Sequence, residues 1–240
     1  MTHDRSSRHN TSVDPPRFAT GFAFLSGPIA TCVTLVLYLG SMFAGAADIT
    51  VRVTDRDGHG VNQVVVAVTP LNDHPSLSPQ PAVMDQRDLQ FVPRVLVVGV
   101  GASVEFPNSD SVSHQVYSFS AAKHFQLPLY KGEVHPPVVF DQPGLVVVGC
   151  NIHDSMVGYI YVTDAPYFGT TQADGTLELK EMPLGDYKVV LWSPFIADPA
   201  ASLTRTLHVD AATPAVASVQ LSLRLRAQPE PRPRRRDWEY

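Results

Sequence analysis

The chain contains few cysteines and few charged residues for its length. Of its 240 residues only two are cysteines, and 17% are charged. Cys32 lies inside the apolar N-terminal segment, so removal of that segment would leave Cys150 as the only thiol. A single thiol cannot form an intramolecular disulfide, which excludes a disulfide framework for the rest of the chain. In an oxidising compartment such a thiol needs either burial or a bound metal to protect it.

The sequence after residue 46 lacks the 3.6-residue apolar periodicity of amphipathic helices. Short alternating segments are instead separated by turn sequences, such as 56–60 and 141–144. Short strands at regular spacing indicate an all-β fold built as a β-sandwich. The predicted strands are 48–55, 61–70, 89–100, 103–106, 114–118, 136–140, 145–150, 156–162, 176–179, 187–192, 204–209 and 217–223.

Charge is distributed unevenly along the chain. Residues 47–223 carry 9 basic and 18 acidic side chains, whereas the tail 224–240 carries 6 basic and 3 acidic ones. An acidic body argues against nucleic-acid binding and favours a basic protein partner, although solubility alone also accounts for it. The tail combines three prolines with an arginine run at 234–236, a composition typical of disorder.

The first 46 residues have the composition of an export signal. Arg5, Arg8 and Arg17 precede a largely apolar segment, 18–47, and the small residues at 44–46 offer a signal-peptidase cleavage site. The apolar segment is also long enough to span a bilayer, so an uncleaved membrane anchor is the alternative. We predict that the remainder is exported to the periplasm and meets the membrane only if this segment stays attached.

Three residues with metal-binding side chains lie close together in the segment 149–156. Cys150, His153 and Met156 form the pattern Cys-x2-His-x2-Met at one end of a predicted hairpin. The structural alternatives are an inert buried cysteine, a solvated loop histidine and a methionine that fills the core. A metal site explains all three residues and their spacing together.

A fourth candidate ligand, His114, ends the segment 106–114. His124 and His135 are rivals, but neither lies in the Asn-x-Asp-x3-His context that precedes His114. Two imidazoles, a thiolate and a weak axial thioether are the ligand set of a mononuclear blue-copper centre. The sequence thus predicts one copper ion bound by four residues, with zinc as the less favoured metal. These residues are His114, Cys150, His153 and Met156.

Several short motifs between residues 85 and 168 together match one known family. They are Asp85-Gln86, Phe91-Val92-Pro93, Phe106-Pro107-Asn108-Ser109-Asp110, His114, Cys150-Asn151-Ile152-His153, Met156 and Pro166-Tyr167-Phe168. The segment 83–164 resembles the plastocyanin- and amicyanin-like cupredoxins often labelled methylamine utilisation proteins. This resemblance implies a Greek-key β-sandwich, type 1 copper on the four residues above, and electron transfer. The chain departs from the family at Gln115, where Asn is usual, and at Asp154, where Pro is frequent.

The flanking segments resemble a second family. The segment 49–70 and the turn motifs at 174–175 and 183–187 look like parts of a transthyretin-like, carboxypeptidase-regulatory-type domain. We therefore predict that a cupredoxin domain, 83–164, is inserted into or joined to a second β-sandwich. The predicted organisation is a signal or anchor at 1–46, a split sandwich at 47–82 and 165–223, the copper domain between them, and a basic tail at 224–240.

The function predicted from these features is that of a periplasmic electron carrier rather than an enzyme, because four protein ligands leave no open metal position for a substrate. Its redox partner would be a c-type cytochrome or a periplasmic dehydrogenase. One alternative is a protein that binds copper for delivery or storage. Another is an adhesion or scaffold module in which copper is structural.

Overall fold

All regular structure in the described part of the chain is β-strand, as expected for an all-β fold, and this prediction is confirmed. The computed structural model describes residues 45–73, 75–132, 135–196, 203–210 and 215–220, the last by backbone alone. In chain order the strands are β1 (Ala46–Thr54), β2 (Val65–Pro70), β3 (Ala82–Val83), β4 (Asp85–Arg87), β5 (Gln90–Val92), β6 (Val95–Gly99), β7 (Ala102–Glu105), β8 (Tyr117–Ser120), β9 (Lys123–Gln126), β10 (Val138–Phe140), β11 (Gly144–Gly149), β12 (Val157–Thr163), β13 (Tyr167–Thr170), β14 (Thr176–Pro183), β15 (Gly185–Trp192), β16 (Leu203–Val209) and β17 (Ala215–Gln220).

Strands from the two ends of the chain share two sheets. β1 lies between β14, to which it is antiparallel, and β17, to which it is parallel. β2 pairs antiparallel with β13 and β15 in a sheet of order β13-β2-β15-β16. Among the described strands, β1 and β2 therefore pair only with strands that follow residue 166. The transthyretin-like assignment of this outer part stays a prediction.

Alternating burial along β1 explains how these two sheets meet. Ile49, Val51 and Val53 are buried, whereas the residues between them are more exposed. Because successive side chains of a strand point to opposite faces, these three share one face. They form one hydrophobic cluster with buried residues of β2 and β15, such as Val68 and Leu191. Each fully buried aliphatic side chain contributes about 1.5–3 kcal/mol to this core.

The middle strands build a second core. One sheet has the order β6-β12-β11-β8-β9, and a smaller sheet has the order β10-β7-β3. Residues such as Val104, Val148 and Ile160 form the cluster of these strands. Cys150 and Met156 belong to the same cluster and are 3% and 1% exposed. Two of the predicted ligands thus lie at the margin of an apolar core.

A third, small cluster joins the middle strands to the outer ones. Trp192, at the end of β15, packs its ring against Tyr159 and Tyr161 of β12, with ring centroids 5.9 and 5.6 Å apart. Val65 of β2 and Val95 of β6 complete this contact. The sheet that carries the candidate site is therefore covered in part by the outer strands.

The structure corrects several of the predicted strands, and the one predicted at 61–70 begins only at Val65. The segment 89–100 forms two strands, β5 and β6, because Pro93 has no amide hydrogen to continue a ladder. The predicted strand 114–118 begins only at Tyr117, and His114 forms an isolated bridge instead.

Residues 1–44 of the predicted N-terminal signal lie outside the described residues. The whole of the predicted basic tail also lies outside them. The described residues contain no helix with the length and apolarity that crossing a membrane demands.

Candidate metal centre

The loop between β11 and β12 carries three of the predicted ligands. Gly149 pairs with Val157, so Cys150 directly follows one strand and Met156 directly precedes the next. Inside the loop, the Met156 amide donates to the His153 carbonyl at 2.8 Å. The Cys150 amide donates to the Met156 carbonyl at 3.3 Å. The spacing of the pattern therefore corresponds to a hairpin loop that its own backbone closes.

His114 reaches the same place from a neighbouring segment. Its backbone amide donates to the Tyr130 carbonyl at 3.0 Å, and the Tyr130 amide donates back to the His114 carbonyl at 2.9 Å. Three residues later Tyr117 pairs with Gly149, next to Cys150. The His114 side chain is fully buried. Sheet pairing thus brings the two segments that carry the predicted ligands side by side.

Three donor atoms converge at this point. The Sγ atom of Cys150 lies 3.9 Å from Nδ1 of His114 and 3.7 Å from Nδ1 of His153. The two Nδ1 atoms are 3.2 Å apart. A tetrahedral metal, with nitrogens at about 2.0–2.1 Å and sulfur at about 2.3 Å, separates its nitrogens by about 3.3 Å and nitrogen from sulfur by about 3.6 Å. The observed separations fit one ion held by all three residues.

Met156 is placed close to these donors along the chain, and its side chain is buried in the cluster that includes Cys150. Its backbone hydrogen bonds tie it to both Cys150 and His153. The structure therefore brings together His114, Cys150 and His153 by their donor atoms, and Met156 by its loop and its burial.

The second nitrogen of His114 is held by a carboxylate. Nε2 of His114 lies 2.8 Å from Oδ2 of Asp110, which also accepts the Leu89 amide at 2.8 Å. Burial by itself raises the pKa of Asp110, but the hydrogen bonds from Leu89 and His114 outweigh it and the pKa is lowered. An ionised carboxylate requires the proton of His114 on Nε2 and leaves Nδ1 free to bind a metal.

His153 is the more accessible of the two histidines, and its side chain is half-buried. Burial, followed by the nearby His114, lowers the pKa of His153, although Asp110 acts in the opposite direction. A lowered pKa keeps the imidazole neutral, the form that binds metals, to a lower pH. Ile152 beside it is 52% exposed.

A buried polar network surrounds the segment that carries His114. The Asn108 side-chain amide donates to the carbonyls of Val112 and Tyr130, at 3.0 and 2.8 Å. Nε2 of Gln86 donates to the Tyr130 hydroxyl at 2.5 Å. Burial, reinforced by the charges of Asp85 and Cys150, raises the pKa of Tyr130 to about 12 despite the bond from Gln86. Sequence reasoning missed Tyr130, because nothing in its local sequence marks it as a partner of His114.

The rival histidines lie elsewhere. His124 is exposed on β9, where its ring lies 5.2 Å from that of Phe119. The ring of His135 lies 4.4 Å from that of Tyr130. Neither belongs to the group of donor atoms around Cys150.

A second group of possible ligands was not predicted. Asp55, Asp57 and His59 lie together in the turn after β1. Oδ1 of Asp55 accepts the amides of both other residues at 2.9 Å. These bonds are those of an ordinary turn that an aspartate closes.

Comparisons with known proteins find solved structures that match part of this chain. Neither a protein-family model nor a curated protein matches the chain. A purple cupredoxin from Nitrosopumilus maritimus is 25% identical over 34% of this chain and 96% of its own, with a TM-score of 0.30. A reduced amicyanin variant is 24% identical over 40% of this chain and 99% of its own, with a TM-score of 0.32. The copper-containing nitrite reductase of Thermus scotoductus SA-01 is 28% identical over 40% of this chain and 25% of its own, with a TM-score of 0.32.

Proposed function

We propose that this protein binds one copper ion at His114, Cys150, His153 and Met156 and carries single electrons in the periplasm. The observation that supports this best is the convergence of one thiol sulfur and two Nδ1 atoms, all within 4.8 Å of one another, at the margin of an apolar core.

The chemistry of the donors favours copper over zinc. A thiolate and a thioether are soft ligands that suit Cu(I), and imidazoles suit both oxidation states. Copper also exceeds zinc in affinity for a given site of this kind. When bound there, copper would supply a one-electron step between Cu(I) and Cu(II).

The burial of the ligands favours electron transfer over catalysis on a substrate. Cys150 and Met156 are almost fully buried, and His114 is fully buried. A catalytic metal needs an open position for its substrate, which a site with four protein ligands does not offer. The half-buried ring of His153 is the accessible edge through which an electron would pass. Ile152 beside it offers apolar surface for docking.

Two features of the sequence support a proposed compartment and a proposed partner. The N-terminal segment has the composition of an export signal, which supports a periplasmic location. Residues 47–223 carry twice as many acidic as basic side chains, which favours a partner with a basic docking surface. We therefore propose a c-type cytochrome or a periplasmic dehydrogenase as the redox partner.

Absorption spectroscopy of the protein after loading with Cu(II) tests this proposal. We expect an intense thiolate-to-copper charge-transfer band in the visible range, with one copper per chain by elemental analysis. Cys150→Ala should abolish the band, whereas His124→Ala, which removes an exposed histidine outside the site, should leave it unchanged. Absence of the band in the unaltered protein would refute type 1 copper. Slow electron self-exchange together with rapid copper loss to a chelator would instead indicate copper delivery.

A further inference from the structure

The two ligand-bearing loops are stabilised in different ways. The loop from Cys150 to Met156 is closed by hydrogen bonds between its own backbone atoms. The segment 106–114, which carries His114, is not a hairpin: it connects β7 of one sheet to β8 of the other. Its position therefore depends on contacts with other parts of the chain.

Tyr130 contacts this segment at both of its ends. Its hydroxyl donates to the Phe106 carbonyl, and its backbone forms the two hydrogen bonds with His114. The Tyr130 carbonyl also accepts the side-chain amide of Asn108, within the segment. Tyr130 is 2% exposed, so water cannot readily replace these bonds.

Gln86 fixes the other side of the Tyr130 hydroxyl. Its Nε2 atom donates to that hydroxyl at 2.5 Å and to the Pro107 carbonyl at 3.1 Å. The opposite orientation of the Gln86 amide would direct Oε1, an acceptor, at the carbonyl oxygens of Phe106 and Pro107. These contacts therefore determine which side-chain atom is the nitrogen. Gln86 is fully buried, and its own backbone is bonded to Pro107 and Ser109.

We propose that Tyr130, held by Gln86, is a positioning residue that sets His114 in the metal centre. This inference rests on the proposed copper site. The hydroxyl of Tyr130 anchors the start of the segment 106–114 while its backbone anchors the end, and this fixes where Nδ1 of His114 stands relative to Sγ of Cys150. Loss of the hydroxyl releases the start of the segment and loosens the backbone pairing at His114.

Tyr130→Phe tests this inference, with Tyr187→Phe as a matched control. Tyr187 is equally buried at 2% and its hydroxyl also donates to a backbone carbonyl, that of Pro183 at 2.6 Å, but it belongs to the outer core. Both variants should lower the melting temperature of the metal-free protein to a similar extent. Only Tyr130→Phe should weaken Cu(I) binding, by about 10- to 100-fold in competition with a chelator. It should also shift the visible spectrum of the Cu(II) form.

A readout that needs no metal separates this inference from the proposed function. The His114 amide, which donates to Tyr130, should exchange its hydrogen faster in metal-free Tyr130→Phe than in Tyr187→Phe. Wild-type copper affinity, spectrum and exchange rate in Tyr130→Phe would overturn the inference even if copper binds as proposed. Faster exchange in a protein that shows no thiolate-to-copper band would uphold the positioning role and refute the copper site. If Tyr130→Phe does not fold, Gln86→Met decides by the same measurements, because it removes the donor to the hydroxyl and retains the volume.

Discussion

Nε2 of His114 and Oδ2 of Asp110 lie 2.8 Å apart, so a carboxylate from the same loop orients one predicted ligand. Asp110→Asn removes the charge that holds the proton on Nε2. We expect copper affinity to fall by about 10- to 100-fold, as measured by competition with a chelator. Asp154→Asn removes an exposed carboxylate from the ligand loop and serves as the control. An equal loss in both variants would show that general charge, and not orientation of the ring, is responsible.

Replacement of Met156 should change the reduction potential of bound copper and should have little effect on the free energy of unfolding. Met156→Leu nearly conserves the volume of a side chain that is 1% exposed, so the free energy of unfolding should change by less than about 1.5 kcal/mol. The change removes a sulfur donor, and loss of a donor disfavours Cu(II) more than Cu(I). The potential should therefore rise, as measured by redox titration of the visible band. An unchanged potential would show that the Met156 sulfur is not a ligand.

Asp85 should make the stability of the metal-free protein depend on pH. Burial alone raises the pKa of Asp85, but hydrogen bonds from Ser109 and Arg87 outweigh it, and the pKa is lowered. A carboxyl with a lowered pKa in the folded state stabilises the protein above its unfolded value of about 3.9, and this contribution is lost as the pH falls through the folded value.

We therefore expect Asp85→Asn to lower the melting temperature at pH 7 and to flatten its decline below about pH 4. Melting curves of the metal-free protein across this range measure both effects. Asp141→Asn, which breaks an ion pair between Lys123 and a carboxylate that is 62% exposed, should have a much smaller effect. Parallel melting profiles for Asp85→Asn and the unaltered protein would contradict this account.

Gly175 should tolerate no side chain, because its backbone has φ of +81° and a Cβ atom would lie 2.3 Å from the Val53 carbonyl oxygen. Gly175→Ala should lower the free energy of unfolding by more than about 1 kcal/mol, as measured by denaturant titration. Gly58 has φ of +86° with nothing within 4 Å, so Gly58→Ala isolates the cost of backbone strain. The difference between the two variants measures the steric clash, and equal losses would exclude it.

The hairpin loop that holds three of the predicted ligands could be predicted from the sequence because its determinants are local. Cys150, His153 and Met156 share one hairpin loop, and the register that closes it follows from two adjacent apolar strands. The all-β fold was also predicted, because apolar and polar side chains alternate along a strand with a period of two residues, as in β1. A period of two is visible even in a short segment.

The hydrogen bonds that hold the His114 segment in place could not be predicted, because they come from residues distant in the chain. Tyr130 follows His114 by 16 positions and Gln86 precedes it by 28, and the pattern at neither position indicates a contact. The short strands β9 and β13 were missed for a related reason. β9 contains no fully buried residue and β13 is half-buried throughout, so neither has the apolar buried face that marks a strand, and pairing with β8 and β2 defines them.

The pairing of β1 and β2 has a consequence for the order in which parts of the protein fold during synthesis. The sheet that carries the candidate site is complete once Thr163 has emerged, whereas β1 and β2 have no described strand partner before Tyr167. The sheet formed by β6, β8, β9, β11 and β12 can therefore form before β1 and β2 meet their strand partners. During that interval the apolar faces of β1 and β2 are uncovered, and an uncovered apolar strand can aggregate.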